Sequence, residues 1–218
     1  MKISQLRLNS NDFSFEQLTS LHQLQPQLIT AFGPPQFFSS LNLGQKLKSH
    51  FPSCHIIGCS TPHSDSLILS AVNFKRPILK STMVPFRAHH DCVHAGQKIG
   101  LNLKSPDLTG IFLLGQGEKA NGANLLSGLK NKVAKEVVIS GGLAKSDGLS
   151  SPTYVLLNEI VSSEIIAAFG IYGKALQLVL GNQPSPSEIC AEICPPGMID
   201  DCQSNEQIQS PTRISEAA

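Results

Sequence analysis

Apolar residues recur in two ways along the chain: in short continuous runs typical of buried strands, and at helical spacing in longer, partly polar segments. In the first part of the chain these patterns predict, in order, a helix, a strand, a second helix and three more strands. Their ranges are 15–24, 27–32, 36–49, 54–57, 66–74 and 78–87. The residues Lys75-Arg76-Pro77 predict a turn between the last two strands.

The same order of elements is repeated in the second part of the chain. Asp91 is a suitable N-cap for a helix that places Ala95, Ile99 and Leu103 on one face. A strand, a helix and four more strands are then predicted at 110–114, 121–132, 136–139, 153–157, 164–172 and 175–180. A shift of 82 positions overlays residues 28–33 and 56–59 on equivalent apolar runs of the second part.

This repetition predicts an α/β fold of two similar α-β-α-β-β-β halves, at about residues 14–88 and 91–181. The second half has an extra hairpin around residues 153–161. Helices that alternate with apolar strands cover the faces of a sheet and favour parallel pairing between strands. We therefore expect mixed sheets flanked by helices, within one domain over residues 1–181.

Charge separates this body from the end of the chain. Residues 1–181 hold 16 Lys and Arg against 10 Asp and Glu, a net charge of +6, whereas residues 182–218 hold one Arg and six acids, a net charge of −5. The second segment is rich in Pro, Ser, Gln and Glu and has no apolar period, which is typical of disorder. We predict a polar, acidic and disordered tail.

Composition excludes two classes of partner. A formal net charge of +1, no Trp and two Tyr provide neither the positive field nor the aromatic platform of a nucleic-acid-binding protein. The apolar stretch 165–180 is interrupted by Gly170, Gly173 and Lys174, so it is too short to cross a membrane. With no signal peptide and six irregularly spaced cysteines, we expect a cytoplasmic protein with reduced thiols.

Ligands of parallel sheets bind beyond the carboxyl ends of the strands. Four predicted turns lie at such ends, at residues 33–35, 58–62, 115–122 and 141–148. The turn Gly58-Cys59-Ser60-Thr61 offers hydroxyls and backbone N–H groups to a carboxylate or phosphate, and its glycine permits a close approach. A small-residue turn with a buried thiol and no ligand is the simpler interpretation.

The same turn also allows a catalytic interpretation. Cys59 with His55 or His63 would form the thiol–imidazole pair of a thiol- or acyl-transfer enzyme. Alternatively, Ser60 would lie in an incomplete nucleophile elbow, in which Pro62 replaces the final glycine.

Gly115-Gln116-Gly117-Glu118-Lys119-Ala120 matches the pattern G-x-G-x-x-A after a strand. A dinucleotide site needs an acid at the end of the next strand, but that strand ends in Ser140-Gly141-Gly142. A turn before a helix capped near Asn121, whose N-terminus faces an anion, is the plainer interpretation. Within the turn 141–148, Asp147 is suited to bind an amine and Lys145 an anion.

Two groups of residues resemble metal ligands. His90 and His94 would share one helix face, and Cys190, Cys194 and Cys202 lie in the tail. Neither group has a completing ligand at a recognised spacing, so we expect no metal site.

These turns, in this order, resemble the FIST N-terminal domain, a sensory module of signal-transduction proteins. The resemblance covers about residues 14–181. The residues that carry it are Ile57-Gly58-Cys59-Ser60-Thr61, Asn121-Gly122 with Leu125-Leu126-Ser127-Gly128-Leu129, Val138-Ile139-Ser140-Gly141-Gly142-Leu143-Ala144 with Asp147, and the strands at 153–157 and 164–180.

The resemblance implies a cytoplasmic sensor that binds a small ligand, an amino acid or similar metabolite, without catalysis; some relatives bind haem. Two departures from the family matter. The family continues G-C-S-T with Ala-Gly-Glu-Ile, whereas Pro62-His63-Ser64-Asp65 follows here and shortens the loop. Relatives usually carry a second, C-terminal FIST domain, so we expect a protein partner or a second copy to cover the corresponding face.

We therefore predict a small-molecule site with two walls and no cofactor. One wall consists of Gly58, Cys59, Ser60 and Thr61, and the other of Asn121, Gly122, Gly141, Gly142 and Asp147. Backbone N–H groups and hydroxyls would bind the carboxylate of the ligand, Asp147 would bind an ammonium group, and binding would shift the conformation of the domain. The alternative, a thiol- or acyl-transfer enzyme that uses Cys59 or Ser60, requires an imidazole beside a thiol of depressed pKa. The third interpretation, a non-binding interaction protein, predicts that the glycine turns lie on opposite sides of the fold.

Overall fold

The structure is a computed structural model that describes residues 1–9, 15–40, 42–62, 65–74, 78–87, 89–117, 119–145 and 152–173. Five predicted features lie outside the described residues: His63, the turn at 75–77, Asp147, the strand at 175–180 and the acidic tail with its three cysteines.

The described residues form ten strands and five α-helices. The strands are β1 (Lys2–Asn9), β2 (Leu28–Gly33), β3 (His55–Ser60), β4 (Ser66–Asn73), β5 (Ile78–Pro85), β6 (Leu108–Gly115), β7 (Val138–Leu143), β8 (Val155–Leu157), β9 (Ile160–Ser162) and β10 (Ile165–Tyr172). The helices are α1 (Thr19–His22), α2 (Pro35–Ser40), α3 (Leu43–His50), α4 (Cys92–Leu103) and α5 (Gly122–Lys130). None of these helices has the length and hydropathy needed to cross a bilayer.

The strands form two mixed sheets, which confirms the predicted α/β class. The first sheet has the order β1-β4-β2-β3-β8-β9 and the second the order β5-β10-β6-β7. Each sheet contains one parallel pair, β2 with β3 and β6 with β7, and each pair is joined through helices. The remaining pairs are antiparallel.

The predicted doubling is visible in the order of the strands. In the first sheet β4 pairs antiparallel with β2, which pairs parallel with β3; in the second, β10, β6 and β7 repeat this arrangement. The two halves also exchange strands. β5 follows the first half in sequence but pairs with β10, and the hairpin β8–β9 of the second half extends the first sheet beside β3.

Three apolar clusters divide the fold into four layers. One cluster lies between the first sheet and α1–α3, another lies between the second sheet and α4–α5, and the third is built from strands of both sheets together with Ala144. Successive side chains of a strand point to opposite faces. Ile56 therefore packs under the helices while Ile57 packs between the sheets. Strands buried on both faces explain why the apolar runs are continuous.

Some elements differ from the sequence prediction. The helix predicted at 36–49 is two helices, because Asn42, at φ 47°, adopts a left-handed conformation between them. The first helix is a 3-10 turn at Phe15–Leu18 followed by the short α1. Asp91 precedes α4 but its side chain caps no N–H group, since residues 89–91 are already a 3-10 turn. β1 was not predicted as a strand, although its residues alternate between polar and apolar.

Helices α4 and α5 approach each other through glycines. A Cβ atom on Gly128 would lie 2.0 Å from the carbonyl oxygen of Val93, and a Cβ on Gly96 would lie 2.1 Å from that of Leu125. A Cβ atom on Gly100, four residues after Gly96, would likewise lie 2.7 Å from the Cβ atom of Lys132. Small residues at this spacing let two helix backbones touch, so this part of the core depends on the absence of side chains.

Candidate functional site

The carboxyl ends of both parallel pairs meet at one edge of the fold. In the first sheet, the N–H of Thr61 donates to the carbonyl of Gly33 at 2.9 Å, which joins the ends of β3 and β2. In the second, the N–H of Ala144 donates to the carbonyl of Gly115 at 2.8 Å, which joins β7 and β6. The edge predicted to carry the ligand site is therefore a single region with contributions from both sheets.

Ser60, the last residue of β3, joins the two sheets at this edge. Its carbonyl accepts from the N–H of Lys145 at 3.0 Å, and its hydroxyl donates to the Lys145 carbonyl at 3.2 Å. Its N–H donates to the carbonyl of Tyr154 at 2.9 Å, and its hydroxyl accepts from the Tyr154 N–H at 3.0 Å. With 0% of its surface exposed, Ser60 uses both backbone groups and its hydroxyl to hold two other segments.

Replacing Ser60 with alanine is expected to lower the free energy of unfolding by about 2 kcal/mol, because the Tyr154 N–H loses its buried acceptor. Urea unfolding would measure the change. The control is Ser20→Ala: Ser20 is an exposed residue of α1 whose hydroxyl donates to Gln17, and its loss is expected to cost less than about 0.5 kcal/mol. Equal effects of the two substitutions would contradict the joining role of Ser60.

Gly58 and Cys59 lie inside β3, so the predicted turn begins later than expected, at Thr61. A Cβ on Gly58 would lie 2.1 Å from the carbonyl oxygen of Ala31, which explains why a glycine pairs with β2 at this position. Cys59 is 4% exposed and packs between the sheets. Of the four residues Gly58-Cys59-Ser60-Thr61, the first three are buried and Thr61 is partly exposed.

The environment of Cys59 is the reverse of what a nucleophile needs. Burial raises the pKa of its thiol to about 12, whereas a reactive thiol has a depressed pKa. The ring of His55 lies beside Ser81 instead, with Nδ1 3.2 Å from its hydroxyl oxygen. His63 lies outside the described residues. The buried, fully used hydroxyl of Ser60 is equally unsuited to attack a substrate, so the geometry does not support the enzyme alternative.

The glycine-rich turn after β6 has a structural explanation. A Cβ on Gly117 would lie 1.6 Å from the carbonyl oxygen of Ala144, so any side chain would displace the segment that follows β7. The Gly117 N–H donates to the hydroxyl of Thr153 at 3.3 Å, and the side-chain oxygen of Gln116 accepts from the N–H of Lys119 at 2.8 Å. Gln116 and Thr153 are both buried. These contacts account for the G-x-G spacing without a nucleotide.

Asn121 caps α5 as predicted. Its side-chain oxygen accepts from the N–H of Asn124 at 3.0 Å. Its own N–H donates to the sulfur of Cys92 at 3.2 Å, which ties the start of α5 to the start of α4. Asn121 and Gly122 are both exposed. A Cβ on Gly122 would contact the side chain of Leu143, at 3.8 Å, so the start of α5 lies beside the end of β7.

Gly141 and Gly142 are strand residues, so the turn predicted from residue 141 is wrong at its start. Both belong to β7, where they pair with Leu113 and Leu114. Gly141 adopts φ 141°, and a Cβ there would lie 1.8 Å from the carbonyl oxygen of Leu113. The chain leaves the strand only after Leu143. β7 lies at the edge of its sheet, which explains why its glycines are exposed.

Described residues of both predicted walls lie near this edge, whereas Asp147 lies outside the described residues. Ser60 of the first wall is hydrogen-bonded to Lys145, two residues after the end of β7, and Leu143 at that end lies beside Gly122 of the second wall. Thr61, partly exposed, and Lys145, exposed, present a hydroxyl and an ammonium group there. Direct ligand contact by the nine predicted residues stays a prediction.

Three residues of this edge were not predicted: Gln116, Thr153 and Tyr154. Thr153 and Tyr154 form bonds to distant segments, which span 36 residues for Thr153 and 94 for Tyr154, whereas Gln116 bonds locally to the N–H of Lys119. The available sequence signal was the polar pair Thr153-Tyr154 immediately before an apolar strand.

His90 and His94 gain no further ligand from the described part of the chain. His90 lies 3.5 Å from Asp91, and both side chains are substantially exposed. Within the described ranges, no group of three or more His, Cys, Asp or Glu residues could hold a metal ion.

A comparison with models of protein families gives a match over most of the chain. The family model of the FIST N domain matches residues 27–205, from just before β2 to a point within the acidic segment. The matched range includes both parallel strand pairs and every residue of the two predicted walls. No curated protein matches the chain.

Proposed function

Since the chain belongs to the FIST N domain family, a family of sensory domains of signal-transduction proteins, we propose that it binds a small carboxylate-bearing metabolite, such as an amino acid. The proposed site is the edge where the carboxyl ends of β2, β3, β6 and β7 meet. One observation carries the proposal: the mutual hydrogen bonds of Ser60 and Lys145, which bring the two parallel pairs together at this edge.

The exposed groups of this edge suit an anion. Lys145 presents an ammonium group, and its backbone is fixed because both its N–H and its carbonyl are bonded to Ser60. Thr61 adds a hydroxyl, and the first N–H groups of α5 add the positive end of a helix dipole at exposed Gly122. Together these groups would bind a carboxylate, and Asp147, two residues beyond Lys145, is proposed to bind the ammonium group of an amino acid.

The same bonds offer a route for the signal. A ligand on Lys145 and Thr61 would touch residues that flank Ser60 in space and in sequence. Because Ser60 holds the segments after β7 and before β8, a preference of the ligand for one arrangement of these segments would shift the population of the domain towards it. A partner protein would then recognise the shifted form.

A thermal-shift screen tests the proposal. At a concentration about 100 times its Kd, a ligand stabilises the native state by about 2.7 kcal/mol, which corresponds to roughly 5–10 °C in a domain of this size. We expect such a shift with one or more amino acids or related carboxylates, and no shift with the same ligand in Lys145→Gln or Thr61→Val.

The matched control is Lys104→Gln. Lys104 is exposed at the C-terminus of α4, near the start of β6 rather than its end. This variant should keep the ligand-induced shift. The proposal fails if no carboxylate stabilises the chain at millimolar concentration, or if Lys145→Gln responds to the ligand as the wild type does. Nucleotides and haem in the same screen would identify a different class of ligand.

A further inference from the structure

Strand β3 is tied to the second sheet at both of its ends. Ser60 forms the tie at the carboxyl end. At the other end, the first residue of β3, His55, reaches β5 of the second sheet, where its Nδ1 lies 3.2 Å from the hydroxyl oxygen of Ser81. The two residues are five positions apart, so their side chains point to opposite faces of β3: His55 lies on the face of Ile57, between the sheets, and Ser60 on the face of Ile56.

The turn between β8 and β9 completes the junction at His55. Asn158 adopts a left-handed conformation, φ 54°, and its N–H donates to the carbonyl of Ile56 at 2.7 Å. Its side-chain oxygen accepts from the Ile56 N–H at 3.2 Å, and its side-chain nitrogen donates to the hydroxyl of Ser81 at 3.5 Å. The junction therefore joins β3, β5 and the β8–β9 turn, which belong to two sheets and to both halves of the chain.

The surroundings of His55 disfavour a positive charge on its ring. Burial lowers the pKa of His55, and the positive charge of Lys48 lowers it further, against a smaller opposing effect of a hydrogen bond to the backbone of Leu79. Lys48 lies on α3, and its ammonium group donates to the carbonyl of Cys54 at 2.7 Å. The junction residues contributed by β5 and by the β8–β9 turn, Ser81 and Asn158, carry no charge; Glu159, next in the turn, is exposed.

We propose that the junction of His55, Ser81 and Asn158 is a pH-sensitive latch between the two sheets. In its neutral form the half-buried ring of His55 bonds to Ser81 and carries no charge. Protonation places a second positive charge near Lys48 and turns Nδ1 into a donor, so any bond from the Ser81 hydroxyl to Nδ1 must reverse and the Ser81 oxygen must accept from both Nδ1 and the Asn158 side chain. The latch opens in acid, and the β8–β9 turn separates from β5. It operates independently of the ligand proposed above.

The direction of the pH dependence follows from linkage. Folding lowers the pKa of His55 below its ordinary value of 6.5, so the unfolded or opened chain takes up the proton at a higher pH than the closed form. The latch is fully stable above about pH 6.5 and loses stability as the pH falls through that value towards the pKa of the closed form.

Hydrogen exchange on the full chain tests the latch. Rates at about pH 7.5 and about pH 5.5 are compared after correction for the intrinsic pH dependence of exchange, since these values bracket the titration of an ordinary histidine. We expect the amide of Asn158 and those of β5 to lose protection at the lower pH in the wild type. The loss should be absent in His55→Gln, which retains hydrogen-bonding groups but does not titrate.

The control is His50→Gln, a histidine on α3 at the surface layer of helices; it should respond to pH as the wild type does. An NMR titration of the His55 ring in the wild type provides a second readout that needs no variant. The proposal is overturned if the His55 pKa lies at or above 6.5, if the pH-dependent loss of protection persists in His55→Gln, or if protection at Asn158 does not change with pH.

Discussion

Replacing Gly128 with alanine is expected to lower the free energy of unfolding by about 3 kcal/mol, at the upper end of the usual cost of overpacking a core. The new methyl group would lie 2.0 Å from the carbonyl oxygen of Val93. Because that oxygen is part of the backbone of α4, relief requires the two helices to separate, and this exposes the apolar cluster beneath them. Urea unfolding monitored by circular dichroism measures the change.

The chain offers a matched control in the same helix. Gly122→Ala makes the same chemical change at the start of α5, where, among the described residues, the added methyl group meets the side chain of Leu143 at an ordinary contact distance of 3.8 Å. Its stability should remain within about 0.5 kcal/mol of the wild type, since the site is exposed. Similar losses in the two variants would show that the cost arises from helix α5 itself rather than from its contact with α4.

Replacing Gly141 with alanine should also destabilise the domain strongly, by roughly 2–3 kcal/mol. Two causes act together. The backbone of Gly141 adopts φ 141°, which L-residues rarely adopt, and a Cβ atom would lie 1.8 Å from the carbonyl oxygen of Leu113 on the neighbouring strand. The expected outcome is loss of the pairing between β7 and β6, measured by urea unfolding and by hydrogen exchange of the β7 amides.

Gly142 provides the comparison, one residue away in the same strand. Among the described residues, no heavy atom outside its immediate chain neighbours lies within 4 Å of a Cβ at this position, so Gly142→Ala should leave stability unchanged within about 0.5 kcal/mol. This pair separates two reasons for the double glycine. A stable Gly142→Ala variant that loses the ligand-induced thermal shift would assign Gly142 to the ligand site, whereas equal destabilisation of both variants would contradict the steric account.

Periodicity was sufficient to predict most elements of the fold. The alternation of side chains along buried strands produces continuous apolar runs such as residues 54–57, and the helical faces of α4 and α5 are explicit in the sequence. The break at Asn42 was not visible, because its left-handed conformation leaves the apolar pattern on either side intact. The division of the strands into two sheets was also not predictable, since pairs such as Ile57 with Leu157 depend on contacts 100 residues apart.

Ligand binding at the sheet edge stays a prediction, but the structure corrects the local role assigned to several of its residues. Small residues next to a predicted strand favoured a turn at Gly58, whereas β3 continues to Ser60 because the glycine fits against β2 and the thiol fits between the sheets. A local pattern contains no information on which face of a strand is covered. The bonds of Ser60 to Lys145 and Tyr154 join positions 85 and 94 residues away, and only the assembled fold reveals them.

The exchange of strands between the halves has a consequence for how the chain acquires its structure during synthesis. When the ribosome has completed the first half, β5 has been made, but its partner β10 follows about 80–94 residues later. In the same way, β3 is synthesised well before its partner β8. We therefore expect the two halves to fold together rather than one after the other, because loop-closure entropy must be overcome across both before either sheet gains its full set of hydrogen bonds.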